Sequence, residues 1–293
     1  MHLVQWATHI FHPGDNMTSR PEPKISRRKL LATGATASLL MSGVARSADE
    51  VTLRWGSSTP GDHPVNVRAA EAAQRISEEL RGRYKVQLFP GGQLGGDTDM
   101  LSQLRTGALD LYTTSPPFLT SLVPAAGLSG VAFAFPDYEA VWRAMDGGVG
   151  AAIRSAAARA GIHVFDRLWD QGYRQITTST KPIQRPEDLQ GFKIRVAAGP
   201  LFHSLFQKLG SAPTTLNLGE VYTALQTKLV DGQENALGNA YASKFHEVQK
   251  FVSMTNHVWD GFIMTANARS FSALPKDARD TISKHINEAG LLQ

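Results

Sequence analysis

Residues 191–196, G-F-K-I-R-V, and residues 230–235, V-D-G-Q-E-N, decide how this chain is read. In the first, Phe192, Ile194 and Val196 alternate with Lys193 and Arg195, the period of a strand with one apolar and one charged face. Pro200 stands where a first helical turn begins. Leu201, Leu205 and Leu209 follow at spacing four until Gly210, which predicts a helix of roughly ten residues. Asn217 and Glu220 are spaced as an N-cap and its returning third residue, with Val221, Leu225 and Leu229 on one face behind them. This second helix is expected to end near Asp231-Gly232. A strand-end guanidinium and a turn rich in amide and carboxylate groups suit an anion clamp. Strand, helix, helix and turn in this order belong to an α/β layered domain, where loops beyond strand ends hold the ligand.

Outward from this stretch the same alternation recurs. Val51 to Gly56 reads as a strand, and Pro64 opens a helix with Val65, Ala69, Ala72, Ala73, Ile76 and Leu80 at helical spacing. Tyr84 to Phe89 is a second strand, and the glycine-rich run Gly91 to Gly96 leads into a helix bearing Met100, Leu101, Leu104 and Ala108. A third strand is expected over Leu109 to Thr113, helices over Asp137 to Ala160 with a break at Gly147-Gly148, and a strand over Ile162 to Leu168. Trp169 to Tyr173 interrupts the pattern and marks a domain boundary before the strand Arg174 to Ser179. A second sheet then collects Arg174 to Thr178, Phe192 to Val196 and Val252 to Thr255. Trp259 to Asn267 carries the chain back to the first domain, and Lys276 to Ala289 is a terminal helix. The alternation predicts mixed or parallel sheets covered by helices.

The first 47 residues read as a leader. Ser26-Arg27-Arg28-Lys29-Leu30-Leu31 precedes an uncharged stretch to Ala45, the pattern of a twin-arginine export signal, and Ala45-Arg46-Ser47 offers a small-x-small cleavage site. That hydrophobic part is too short and too polar to span a bilayer. The net charge of +4 belongs to the leader, since removing its six basic and two acidic residues leaves 24 of each sign. A neutral mature chain gives no electrostatic case for nucleic acid or an anionic membrane surface. Leu111 to Pro136 carries no charge, but four prolines forbid a continuous helix and many hydroxyls line it, so it reads as a buried loop region. Cysteine is absent, which excludes disulfides, thiolate metal sites and a cysteine nucleophile.

Chemical motifs are few. The Gly91 to Gly96 loop lacks the Lys and Ser/Thr of a P-loop and the spacing of a dinucleotide site, so it reads as a tight strand-to-helix connection. The histidines beyond the leader show no paired metal-ligand spacing, and no G-x-S-x-G elbow is present. No metal and no cofactor are therefore expected. Arg174 and Arg195 stand at strand edges near uncharged polar neighbours. Together with Asn235 they form a candidate site only if the fold unites them.

Several longer motifs occur in one order: T-P-G-D-H-P (59–64), L-F-P-G-G-Q-L-G-G (88–96), M-L-S-Q-L-R-T-G-A-L-D (100–110), Y-R-Q-I-T-T-S (173–179), D-L-Q-G-F-K-I-R-V (188–196), L-G-S-A-P-T (209–214) and E-V-Y-T-A-L-Q-T-K-L-V-D-G-Q-E-N (220–235). Across nearly the whole mature chain these resemble the DctP-like periplasmic solute-binding proteins of TRAP transporters. The resemblance implies a two-lobed α/β fold with two mixed sheets flanked by helices about a central cleft: lobe I over 48–171 plus 261–293, lobe II over 172–260. It implies a periplasmic, monomeric receptor that captures a small organic acid and delivers it to integral membrane permease subunits. The family's carboxylate-binding arginine falls on Arg195, a second cationic contact on Arg174 and an amide contact on Asn235. Ser58, Ser115, Trp169 and Asp170 are weaker candidates on loops resembling cleft walls. An exported enzyme acting on a similar acid, or a sensory receptor of the same fold, is the alternative.

The chain departs from the family pattern in two ways. Ala197-Ala198 and Ala236 stand where the family often has proline, and relatives continue beyond the position of Gln293 with further helical segments, so the C-terminal helices are expected to be truncated.

Overall fold

The computed structural model describes residues 50–293; the leader reading lies outside them. The elements are β1 (Val51–Ser57), α1 (Pro64–Glu79), β2 (Tyr84–Phe89), α2 (Asp97–Thr106), β3 (Leu111–Thr114), α3 (Pro116–Leu119), α4 (Tyr138–Met145), α5 (Gly148–Arg159), β4 (Ile162–Val164), β5 (Trp169–Thr178), β6 (Lys193–Val196), α6 (Pro200–Lys208), β7 (Ala212–Thr215), α7 (Leu218–Gln226), β8 (Gly232–Ala236), α8 (Leu237–Ala242), β9 (Phe251–Asn267), α9 (Ala268–Ala273) and α10 (Lys276–Leu292). The described strands run in the order β2-β1-β3-β9-β5-β8-β6-β7, with β4 also beside β9.

The path contains two ladders that share β9. In the first, β1 lies parallel to β2 and β3, while β3 and β4 run antiparallel to the last residues of β9, with Leu111 opposite Ala266. In the second, β5 is antiparallel to β8 and to the earlier part of β9, and β6 is parallel to β7 and β8. Helices cover both ladders, as burying two apolar faces requires. Ile76 and its neighbours on α1 join Ile282 and Ile286 of α10 under one face of the first ladder. Met100 and Leu104 of α2, Met145 of α4 and Ile153 of α5 fill the other. Ile194 and Val196 pack on Phe202 and Phe206 of α6, and Val221 and Leu225 of α7 on Val230 and Phe245. Full burial of such a side chain favours the fold by roughly 1.5–3 kcal/mol before entropy is counted.

Five elements differ from the sequence expectation. Residues 232–236 form strand β8 rather than a turn, because parallel pairing with β6 draws them into the ladder. Helix α7 stops at Gln226, five residues early; Lys228 adopts φ 60° and Leu229 faces solvent. In α6 the buried stripe is Phe202 and Phe206, whose rings hide more area than the leucines, and Leu201 is exposed. Where a break was expected at Trp169 to Tyr173, β5 runs on through a bulge between Asp170 and Gly172, with Gly172 at φ 105°. The strands expected at 252–255 and 259–267 are one strand of 17 residues. Of the uncharged run expected as a buried loop over Leu111 to Pro136, residues 111–120 are buried but form β3 and α3, while Leu128, Val131 and Phe133 beyond them are exposed.

Candidate functional site

Parallel strands bring their C-terminal ends to one side, and here β1, β3, β6 and β8 all end around a single small cavity. Ser58 follows β1, Ser115 follows β3, Arg195 lies on β6 and Asn235 on β8, while β5 contributes Arg174; all five line it. The space open to a water-sized sphere is about 20 Å³, room for about one water. Trp169 and Asp170 do not line it. Trp169 is fully buried in the core beneath α1 and α10, and Asp170 accepts a hydrogen bond from Trp259 Nε1 at 2.9 Å.

The two arginines have different electrostatic lives. Arg174 is 2% exposed and doubly ion-paired: Nε and Nη2 donate to the Glu234 carboxylate, Nη2 also to the Glu234 carbonyl at 2.8 Å, and Nη1 to Asp260. Its guanidinium carbon also stands 5.0 Å from the centre of the Phe202 ring. Burial opposes the charge, but Glu234 and Asp260 outweigh it and raise the Arg174 pKa. Burial likewise pushes the Glu234 carboxyl up, yet Arg174 and His257 prevail and hold it down at about 2. Asp260 ends on the other side: burial raises its pKa despite Arg174 and the two Ser115 hydroxyl contacts at 2.8 and 2.9 Å. His257 completes the cluster, with Nε2 at 3.3 Å from Glu234 and Nδ1 at 2.8 Å from the Thr255 hydroxyl.

Arg195 is 1% exposed and forms no salt bridge among the described residues. Nε and Nη2 donate to one carbonyl, that of Leu216, at 3.1 and 2.7 Å. Nη1 makes no hydrogen bond to protein among the described residues. Burial chiefly, with the nearby Arg174 charge adding to it and Glu234 opposing it, brings the Arg195 pKa down to about 10, so the group stays protonated at neutral pH. A buried cation of this kind demands an anion, and its planar fork can meet a carboxylate with two parallel hydrogen bonds.

Several residues of this site escaped the sequence reading. Glu234 and Asp260 neutralise Arg174, and the one available signal was a carboxylate inside an otherwise buried strand, which requires a cation beside it. Asp97 at the start of α2 is buried in the cavity wall and accepts from the Ser58 hydroxyl at 2.6 Å, the Tyr112 hydroxyl at 3.2 Å and Leu218 N–H at 3.4 Å. Beside the Arg195 and Arg174 side chains lie Gln171 and Asn239, which also line the cavity. Among the described residues no cluster of His, Asp or Glu could hold a metal ion.

Similarity to known proteins agrees with this geometry. Residues 55–293 match the DctP family model, described as bacterial extracellular solute-binding protein, family 7. The 2,3-diketo-L-gulonate-binding periplasmic protein YiaO of Escherichia coli is 30% identical over 262 residues, 88% of this chain and 80% of that protein. A TRAP periplasmic solute-binding protein from Sulfurospirillum deleyianum with bound succinate has 31% identity and a TM-score of 0.79, covering 83% of this chain and 78% of that one. The sugar acid binding protein of Advenella mimigardefordensis in complex with galactonate has 30% identity and a TM-score of 0.80, with the same coverage. The chain belongs to the DctP family of bacterial extracellular solute-binding proteins.

Proposed function

We propose that this chain is the periplasmic solute receptor of a TRAP transporter, which captures a small carboxylate-bearing organic acid and presents it to the membrane permease. The observation that carries the reading is Arg195, a buried guanidinium that forms no salt bridge among the described residues and sits at converging strand ends. Each ligand named for the relatives above bears a carboxylate. Ser26 to Leu31 is read as the twin-arginine address that sends the chain to the periplasm. No helix among the described residues is long and apolar enough to cross a membrane, which suits a receptor working beside separate permease subunits.

The lobes of this reading are 48–171 with 261–293, and 172–260. They meet where β5 and β9 cross between the ladders, at Gly172 and Gly261; a Cβ on Gly261 would lie 2.6 Å from the Trp259 ring and 3.0 Å from the Trp169 carbonyl. A cavity of about 20 Å³ is too small for a solute of several heavy atoms, so entry requires the lobes to part. The anion then favours closure by binding the closed arrangement more tightly, with Arg195, Asn235, Ser58, Ser115 and Arg174 around it. Arg174 acts mainly as a rigid, pre-paired wall. The carboxylates of Glu234 and Asp260 are held by Arg174, which leaves them poorly placed as general bases and favours binding over catalysis.

Isothermal titration of the chain with D-galactonate and succinate tests the reading. Arg195→Ala should weaken the tighter acid about thirtyfold or more, because removing one partner of a desolvated pair costs about 2–5 kcal/mol. Arg195→Lys should recover only part, since an ammonium cannot make the paired contact. Unchanged affinity in a cooperatively melting Arg195→Ala protein refutes the site.

A further inference from the structure

The cavity wall carries acceptors that a carboxylate cannot satisfy, and their orientation is fixed by a backbone group. Ala236 N–H donates to Asn235 Oδ1 at 3.0 Å, and because a backbone N–H cannot accept, the oxygen end of the Asn235 amide is settled. Gln171 Nε2 and Asn239 Nδ2 both donate to that same oxygen at 3.3 Å. Their own amides are thereby oriented, with each carbonyl oxygen turned away from Asn235. Both of these oxygens, Gln171 Oε1 and Asn239 Oδ1, are buried without a hydrogen-bond partner among the described residues, and both residues line the cavity.

Charge points the same way. Arg174 is matched by Glu234 and Asp260, so Arg195 is the cation left for a ligand. Asp97, also in the wall, receives only the neutral donors Ser58, Tyr112 and Leu218 N–H. One negative head is therefore welcome and a second is not: a second carboxylate would bring further acceptors against Asp97 and two orphan carbonyls. Hydroxyl groups would supply the missing donors.

Resting on the carboxylate reading above, we infer that Gln171 and Asn239 are specificity-determining residues that select a hydroxylated monocarboxylate, of the aldonate type, over an unsubstituted dicarboxylate. A site built to hydrogen-bond a ligand hydroxyl rejects the analogue lacking it, because its buried acceptors are then left bare. The amide pair flanks Asn235, so the hydroxyls it reads are those next to the carboxylate end held by Arg195.

The test is calorimetric titration of the chain with D-gluconate, D-galactonate, D-erythronate and succinate. The tightest hydroxy acid should exceed succinate in affinity by about tenfold or more. Asn239→Leu and Gln171→Leu should narrow that ratio to within about threefold, by weakening the hydroxy acid more than succinate. Succinate binding as tightly as all three hydroxy acids, or a ratio unmoved in both variants, overturns the inference and leaves Arg195 as carboxylate anchor intact. Should either variant fail to fold, the wild-type ratio alone still decides. Failure of all four acids to bind a cooperatively melting chain overturns the carboxylate reading itself, and this inference with it.

Discussion

His63 gives the sharpest solution test of the structure. Its Nδ1 accepts from Val65 N–H at 3.1 Å as the N-cap of α1, so Nε2 carries the proton of the neutral ring. The ring is 3% exposed, stands edge-on to Phe262 at 5.6 Å, and presses against Gly238 of α8, where an added Cβ would be 3.6 Å from Nε2. Burial, opposed weakly by Asp62, lowers its pKa from 6.5 to about 4. Between those values the unfolded chain binds the proton and the folded one does not, so stability is full above 6.5 and falls as pH drops toward about 4. At about pH 5 the loss works out to about 2 kcal/mol, or about 4–8 °C in melting temperature for a chain of this size. The partner is His63→Asn, which keeps an N-cap acceptor but cannot titrate. Thermal melts by circular dichroism at about pH 7 and about pH 5 should show the wild type losing about 4–8 °C more than the variant. Equal losses in the two proteins would refute the burial argument.

Three further outcomes follow from the core and the β5 bulge. Glu234→Gln leaves the buried Arg174 short of a counter-charge and should cost about 3–5 kcal/mol in urea unfolding at neutral pH. In the wild type, the contribution of this pair is present above the ordinary Glu value of 4.5 and lost as pH falls toward about 2, so an acid titration that shows no extra wild-type loss in that window contradicts it. Trp169→Ala should cost about 3–5 kcal/mol of stability while leaving acid affinity nearly unchanged in the folded protein, since the ring lies in the core under α10; a large affinity loss would return Trp169 to the cleft. Gly172→Val places a branched side chain at φ 105° in the β5 bulge and should cost about 1–3 kcal/mol by denaturant melts; a neutral result would show the backbone there to be unstrained.

Much of the fold was legible because helix and strand periods are local. The stripe of α1, the break between α4 and α5 at Gly147-Gly148, and the alternation in β6 each lie within a single short segment. The differences arise where a partner distant in sequence decides. Gly232 to Ala236 has turn composition, yet β5 on one side and β6 on the other supply its hydrogen bonds. The polar, glycine-bearing start of β5 is held extended by the β9 residues Trp259 to Phe262. Of the candidate site, Arg195, Arg174, Asn235, Ser58 and Ser115 were nominated and meet at one cavity. Glu234, Asp260 and the Gln171–Asn239 pair were not, because Asp260 lies 86 positions from Arg174 and nothing local announces the pairing. Which of two arginines keeps an unmatched charge is a property of packing alone.

The shared strand β9 has a further consequence, for how the protein is made. It is the last strand of the described chain, and β3 waits for partners roughly 150 residues downstream. Until Phe251 to Asn267 emerges, β3 and β5 both present bare hydrogen-bonding edges, the surfaces on which nascent extended segments associate wrongly. Synthesis must therefore pass Asn267 before either ladder is sealed, and a single segment closes both.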